Sequence, residues 1–146
     1  MEQKIVIKRF QIEDYDNLIK LWNRAGLPYK PKGRDKREHI TQEIKNRGCV
    51  FLLAWHGKRL VGSILGTHDG RKGWINRLAV HPEYRNRGIA RRLVHAVEQE
   101  LHNQGIGIIA CLIEDWNTDS MKFFEKLGYT RHSDIFYFTK RDYKEI

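Results

Sequence analysis

Cysteine is scarce in this chain, with two in 146 residues. Cys49 and Cys111 each sit in an apolar, strand-like run and show no paired spacing, so a disulfide framework is excluded and both read as buried, reduced thiols. Long apolar runs are also missing. Residues 49–55 and 106–113 are strand-sized, far below the ~18 residues of a membrane span, so no membrane partner is expected. The seven histidines lack metalloprotease spacing and no His/Cys cluster suggests zinc, so no metal is expected. A phosphate loop of the nucleotide triphosphatase type, repeats, low-complexity tracts and domain linkers are absent too. The opening Met1-Glu2-Gln3-Lys4 leads directly into patterned structure, which points to a cytoplasmic protein without a secretory signal.

What is present describes one packed domain over residues 1–146. The hydrophobic fraction is 40% and the aromatic fraction 11%, enough for a core. Lys and Arg outnumber Asp and Glu by 27 to 18, and the net charge of +9 would draw nucleic acid, an acidic protein surface or a phosphorylated cofactor. Basic residues gather at Lys30, Lys32, Arg34, Lys36 and Arg37, and again at residues 85–92. Nothing resembles a dedicated nucleic-acid module, so nucleic acid is not the expected partner.

Periodicity orders the elements. Residues 4–10 alternate as a strand, and residues 12–25 place Tyr15, Leu18, Ile19 and Trp22 at helical spacing up to Gly26. A Pro/Gly loop covers 27–33, a second helix is expected over 35–47, and strands are expected over 49–55, 60–67 and 73–80. A helix over 87–103 carries Ile89, Leu93, Val97 and Leu101 on one stripe. Residues 106–113 read as a central strand covered on both faces, 117–127 as a helix, and 135–139 as the strand that closes the sheet, after a possible short one at 129–131. Gly105-x-Gly107-x-x-Ala110 has dinucleotide-binding spacing but precedes a strand instead of following one, so it reads as a turn.

The start of the 87–103 helix is electrostatically inverted. A helix N-terminus carries roughly +0.5 charge and favours acidic side chains, yet this one offers Arg85, Arg87, Arg91 and Arg92. Gly88 lets a ligand approach the backbone amides closely. Both features point to a bound anion, and a phosphate-bearing ligand is the natural one.

Two motifs carry a family resemblance. Arg85-x-x-Gly88-x-Ala90, preceded by Leu78-Ala79-Val80 and His81-Pro82-Glu83-Tyr84, resembles the pyrophosphate-binding signature of the GNAT superfamily of acyl-CoA-dependent N-acyltransferases. Downstream, Asn117-x-x-Ser120-x-x-Phe123-Phe124-Glu125-Lys126-x-Gly128-Tyr129 is similar to a second segment of that family, with Phe124 where many relatives have a tyrosine acid. The resemblance implies an α/β fold: a central mixed, splayed β-sheet flanked by helices on both faces. It implies acetyl-CoA as cosubstrate, with Leu78, Ala79 and Val80 presenting backbone to the pantetheine arm. Arg85, Asn86, Arg87, Gly88, Ile89, Ala90 and Arg91 would cradle the pyrophosphate, and Asn117 and Phe124 would line the arm. The implied activity is direct acetyl transfer to an amine on a small molecule or a protein. Protein N-terminal or lysine acetylation, or a coenzyme-binding regulatory domain without catalysis, are the alternatives, and a homodimer is left open.

Transfer to an amine needs a proton acceptor, a donor to the tetrahedral oxyanion and an exit for the thiolate. Val80 N–H is the candidate oxyanion donor. Glu114 and Asp115 are the candidate bases, against a competing reading in which Asp115 or Asn117 caps a helix; His81 is a weaker candidate. Because Phe124 cannot donate a proton, Tyr29, Tyr129, Tyr137, water or direct thiolate release must serve. The acceptor is expected between the 27–34 loop and residues 135–137.

Overall fold

A computed structural model describes residues 4–146; the reading of Met1, Glu2 and Gln3 lies outside the described residues. Strand β1 (Ile5–Arg9) leads through a single 3₁₀ turn into α1 (Tyr15–Ala25), and α2 (Arg37–Glu43) follows a loop. Strands β2 (Val50–His56), β3 (Arg59–His68) and β4 (Gly73–Val80) come next, then α3 (Ile89–Asn103), β5 (Ile109–Cys111) and α4 (Thr118–Lys126). The sheet order is β1-β2-β3-β4-β5, antiparallel except for the parallel β4–β5 pair. This is the expected α/β mixed sheet. Helix α2 is shorter than the sequence suggests. The Asn46 side chain accepts from Gly48 N–H at 2.8 Å and its carbonyl accepts from Cys49 N–H at 3.0 Å, turning the chain toward β2.

Each face of the sheet has its own core. One buries Leu18, Leu21 and Trp22 of α1 and Ile40 of α2 against Phe51, Leu53, Leu65 and Ala79. The other buries Ile89, Leu93, Val94, Val97 and Leu101 of α3, with Phe124 of α4, against Val50, Leu52, Val61 and Ile64. The stripe read from the sequence is therefore the buried face of α3. Helix α3 lies close to β3 because that strand supplies glycine beneath it. A Cβ at Gly66 would stand 2.5 Å from Val97 Cγ1. At the far end of α3, Ile106 N–H returns to Leu101 O at 3.0 Å with Gly105 in the left-handed region, so the dinucleotide-like glycines are a helix-ending turn.

A bulge in β4 decides the shape of the sheet. Between the pairs Ser63↔Ala79 and Leu65↔Asn76, β3 advances two residues and β4 three. The extra residue reverses the alternation. Ile75, Leu78 and Val80 face the α3 side, whereas Arg77 and Ala79 face the α1 side. Arg77 has φ 55°, a left-handed conformation that a residue with a long side chain rarely adopts. Its carbonyl accepts from Ser63 Oγ at 2.9 Å, and Ser63 Oγ accepts from Trp22 Nε1 at 3.0 Å, so α1 and β3 hold the bulge.

Two expectations fail as a result of how the chain runs beyond this bulge. Residues 106–113 do not form a central strand: β4 pairs with β5 over Gly73↔Ile109 to Ile75↔Cys111 and then turns away. Ile108 and Leu112 are 56% and 54% exposed, as befits an edge. Residues 135–139 do not close the sheet, nor do 129–131 form a strand. The C-terminal segment is held instead at its two ends. Tyr129 packs on Phe124, while Ile146 sits against Gly33, where an added Cβ would come within 2.7 Å of its Cα.

Candidate functional site

The divergence of β4 from β5 makes a cleft, and the β4–α3 connection stands at its end. Because His81 N–H donates to Val61 O at 2.8 Å, the alternation of an extended strand turns Val80 N–H to the opposite edge, toward β5. On that edge, among the described residues, β4 has no partner strand beyond Ile75. Leu78 and Val80 place their side chains against the α3-side core, and Ala79 is buried on the other face, so the backbone is what these residues offer the cleft.

The connection is a tight backbone cradle. Pro82–Tyr84 form a 3₁₀ turn, Asn86 has φ 63°, and Gly88 has φ 78° as the residue preceding α3. Asparagine and glycine are the residues that tolerate this left-handed conformation. No side chain caps α3, no acidic residue lies in its first turn, and helix geometry leaves the N–H groups of Ile89, Ala90 and Arg91 without an intrahelical acceptor. A Cβ built at Gly88 meets nothing within 4 Å, so the approach to these amides is open. Burying Ile89 at 2% exposure fixes the first turn of the helix beneath them.

The arginines divide their work. Arg85 donates to Ala25 O at 3.3 Å and Arg92 to Ile5 O at 3.1 Å, which ties the cradle to α1 and β1. Arg87 stacks over the Tyr84 ring at 4.8 Å, and Tyr84 in turn meets His56 Nδ1 at 2.6 Å. Arg87 and Arg91 are exposed beside the open amides.

The other candidates fare differently. Asn117 accepts from Ser120 N–H at 3.2 Å and caps α4, so the capping role falls to it and not to Asp115. Glu114 and Asp115 are exposed in the turn after β5, closed by Asn117 N–H to Glu114 O at 3.0 Å. Phe124 is 6% exposed and edge-packed between Phe123 and Tyr129, both at 5.1 Å. The Tyr129 hydroxyl donates to Glu98 Oε2 at 2.7 Å, and burial, with that carboxylate, pushes its pKa well above the usual phenol value. It is therefore a poor stand-in acid. Tyr29 lies with the α1-side core and Tyr137 is exposed on the C-terminal segment. His81 faces donors at both ring nitrogens, Glu83 N–H at 3.1 Å and Arg59 Nη2 at 3.1 Å. Burial and the Arg59 charge lower its pKa. Burial pushes Cys49 up to about 12 and Cys111 up to about 11, so neither thiol is activated.

One constellation was not anticipated from sequence. Arg77 leaves the bulge toward the α1 side, pairs with Asp35 Oδ2 at 2.5 Å, donates to Pro28 O and lies over the Trp22 ring at 5.0 Å. Asp35 also accepts from Lys30 N–H at 2.7 Å, and its carbonyl accepts from the Tyr15 hydroxyl at 2.7 Å. The pair clamps the 27–36 loop onto β4. Its sequence signals were a single acid inside the basic run at 30–37 and a single cation inside an apolar strand.

The comparisons with known proteins agree with this geometry. The sequence model of the Acetyltransferase (GNAT) family matches residues 14–129, well over half of the chain. Among solved structures, the PaiA N-acetyltransferase from Thermoplasma acidophilum, in complex with coenzyme A, superposes with a TM-score of 0.79 at 21% identity, covering 91% of this chain and 94% of its own. The AAC(6')-Iy enzyme, in complex with a bisubstrate analogue, gives 0.78 at 19% identity over 95% and 99% of the two chains. Glucosamine-6-phosphate N-acetyltransferase from Arabidopsis thaliana gives 0.77 at 15% identity over 96% and 99%. At these identities the solved structures establish the shared fold, and the family match establishes the lineage: this chain belongs to the GNAT acetyltransferase family.

Proposed function

We propose that this protein transfers an acetyl group from acetyl-CoA directly to an amine acceptor within a ternary complex. The observation that carries the reading is the open cradle at the start of α3, with left-handed Asn86 and Gly88 and no acidic or capping side chain over its amides. That arrangement suits a pyrophosphate, with the N–H groups of Gly88 to Arg91 as donors and Arg87 and Arg91 as neighbouring cations. The pantetheine arm would then lie along Leu78, Ala79 and Val80 in the cleft between β4 and β5. Asn117 keeps its amide N–H₂ for the arm while its oxygen caps α4.

In the reaction the amine nitrogen attacks the thioester carbon, Val80 N–H stabilises the oxyanion, and collapse breaks the C–S bond. Glu114 or Asp115 takes the amine proton, through water because both are solvent-exposed. The thiolate leaves without a side-chain acid and is protonated by water, which a thiol pKa of about 8.5 permits. Phe124 serves as a buried apolar wall. The acceptor enters on the side of the 27–36 loop, whose exposed Lys32, Arg34 and Lys36, with Arg37 at the start of α2, favour an acceptor with negative charge beside its amine, on a small molecule or a protein. A cytoplasmic setting fits a reaction that draws on acetyl-CoA.

The missing side-chain acid favours a second reading, a coenzyme-binding regulatory domain. Release of coenzyme A from acetyl-CoA, measured against panels of small amines and peptides, separates the two. Turnover with at least one acceptor is expected, slowed about 10²–10⁴-fold by Glu114→Gln or Asp115→Asn. Tight coenzyme binding without turnover on any acceptor would favour the regulatory domain. Equal rates in wild type and both variants across pH would remove the carboxylates from the mechanism.

A further inference from the structure

Arg77 combines two unfavourable features. Among the described residues only Arg77 and Asn86 carry a side chain at positive φ, which asparagine adopts more readily than arginine. Its guanidinium is also withdrawn from water, since the Arg77 and Asp35 side chains are 12% and 8% exposed. A glycine would hold the same bulge with neither the strain nor the buried charge. What the arginine adds is a connection between two elements. Its carbonyl accepts from Ser63 Oγ at 2.9 Å, and Trp22 Nε1 donates to that hydroxyl at 3.0 Å. Its guanidinium reaches the other way, to Asp35 Oδ2 at 2.5 Å and to Pro28 O on the 27–36 loop. Strain of this kind persists only where the surroundings impose it, and here they join the β4 bulge to that loop.

Asp35 in turn shapes the loop. The same Oδ2 accepts from Lys30 N–H at 2.7 Å, and Asp35 N–H and Gly33 N–H both donate to Lys30 O at 3.0 Å. One carboxylate oxygen therefore holds the guanidinium and closes the turn on the acceptor side. Arg77 is followed directly by Leu78, the first of the three residues along which the pantetheine arm lies in the proposed function. A ligand that pairs with this backbone selects the bulged arrangement, and the bulge presents the guanidinium to Asp35. We propose that Asp35 and Arg77 are a positioning pair through which coenzyme bound on β4 orders the 27–36 loop for the acceptor. This rests on the acetyl-transfer reading and extends it: the coenzyme binds first, and the acceptor then meets a closed loop. A nearly buried ion pair opens rarely, so it changes coenzyme affinity little. The coupling shows instead in the rare openings that amide exchange reports.

Amide exchange of the full chain, followed residue by residue by NMR with and without coenzyme A, tests this alongside calorimetry for coenzyme A affinity. Saturating coenzyme A should slow exchange at Lys30, Gly33 and Asp35 about 5-fold or more in the wild type. Arg77→Gly combined with Asp35→Asn keeps the left-handed backbone and leaves no unpaired charge. This double variant should bind coenzyme A within a few-fold of wild type, with loop exchange indifferent to the coenzyme. Arg77→Lys keeps the ion pair and should retain part of the slowing. A merely structural pair would change baseline exchange in the variants and leave the response to coenzyme A intact. Coenzyme A binding without slowing in the wild type, equal slowing in the double variant, or a folded Arg77→Lys protein without the response would overturn this inference alone. A wild type that does not bind coenzyme A would overturn the proposed function and the inference with it.

Discussion

Replacing Gly88 with glutamate separates the role of the cradle in binding from its role in folding. Gly88 has φ 78°, so any L side chain there costs about 1–2 kcal/mol of backbone strain. No steric cost adds to this, because the new Cβ meets nothing within 4 Å. A carboxylate at a helix N-terminus returns about 0.3–1 kcal/mol. The net loss is about 1 kcal/mol, equivalent to a fall of roughly 2–4 °C in melting temperature for a domain of this size. Binding suffers far more. Two unit negative charges ~5 Å apart repel by about 3 kcal/mol at an effective dielectric of 20, a loss of more than 100-fold in affinity. Calorimetric titration with coenzyme A, alongside a thermal melt, reads both effects. Gly88→Asn is the control: it keeps the left-handed backbone without the charge and should bind within a few-fold of wild type. A folded Gly88→Glu protein with wild-type affinity would refute the placement of the pyrophosphate at α3.

Phe124→Tyr should lower stability by about 1–3 kcal/mol, since the hydroxyl enters the apolar packing of Phe123 and Tyr129, and should leave turnover near its original value. A rise of tenfold or more, about 1.4 kcal/mol of barrier, would show that an acid was wanted there. Asp35→Asn leaves the Arg77 guanidinium, 12% exposed, without its counter-charge and should cost about 3–5 kcal/mol in denaturant unfolding. A loss below ~1 kcal/mol would mean that Pro28 O alone holds the arginine. His81 has a folded pKa below its ordinary value, so the native state resists protonation and stability is lost as pH falls below about 6.5. Melting temperatures between pH 7.5 and 5 should decline more steeply in wild type than in His81→Gln, and parallel slopes would remove His81 from that dependence.

The sequence determined what depends on neighbours along the chain. The stripe of Ile89, Leu93, Val97 and Leu101 set the buried face of α3, and Gly26 marked the end of α1, where a left-handed residue is needed. The crowding of arginine at a helix start, with Gly88, located the anion cradle because helix polarity is a local property. The tertiary structure decided what depends on contacts between distant residues. An apolar run such as 106–113 reads alike in a central or an edge strand, since periodicity does not say how many neighbours a strand finds. The run of strong strand formers at 135–139 likewise read as a strand, yet among the described residues it pairs with none. The bulge at Arg77 could not be read from the periodicity of 73–80, where a lone cation was its one mark. It exists because Ser63 accepts from Trp22 and donates to the Arg77 carbonyl, while Asp35, 42 residues away, holds the guanidinium. That one inserted residue turns β4 from β5 and opens the cleft, so the ligand's backbone cradle was written locally and the space for its reactive end was made by tertiary contact.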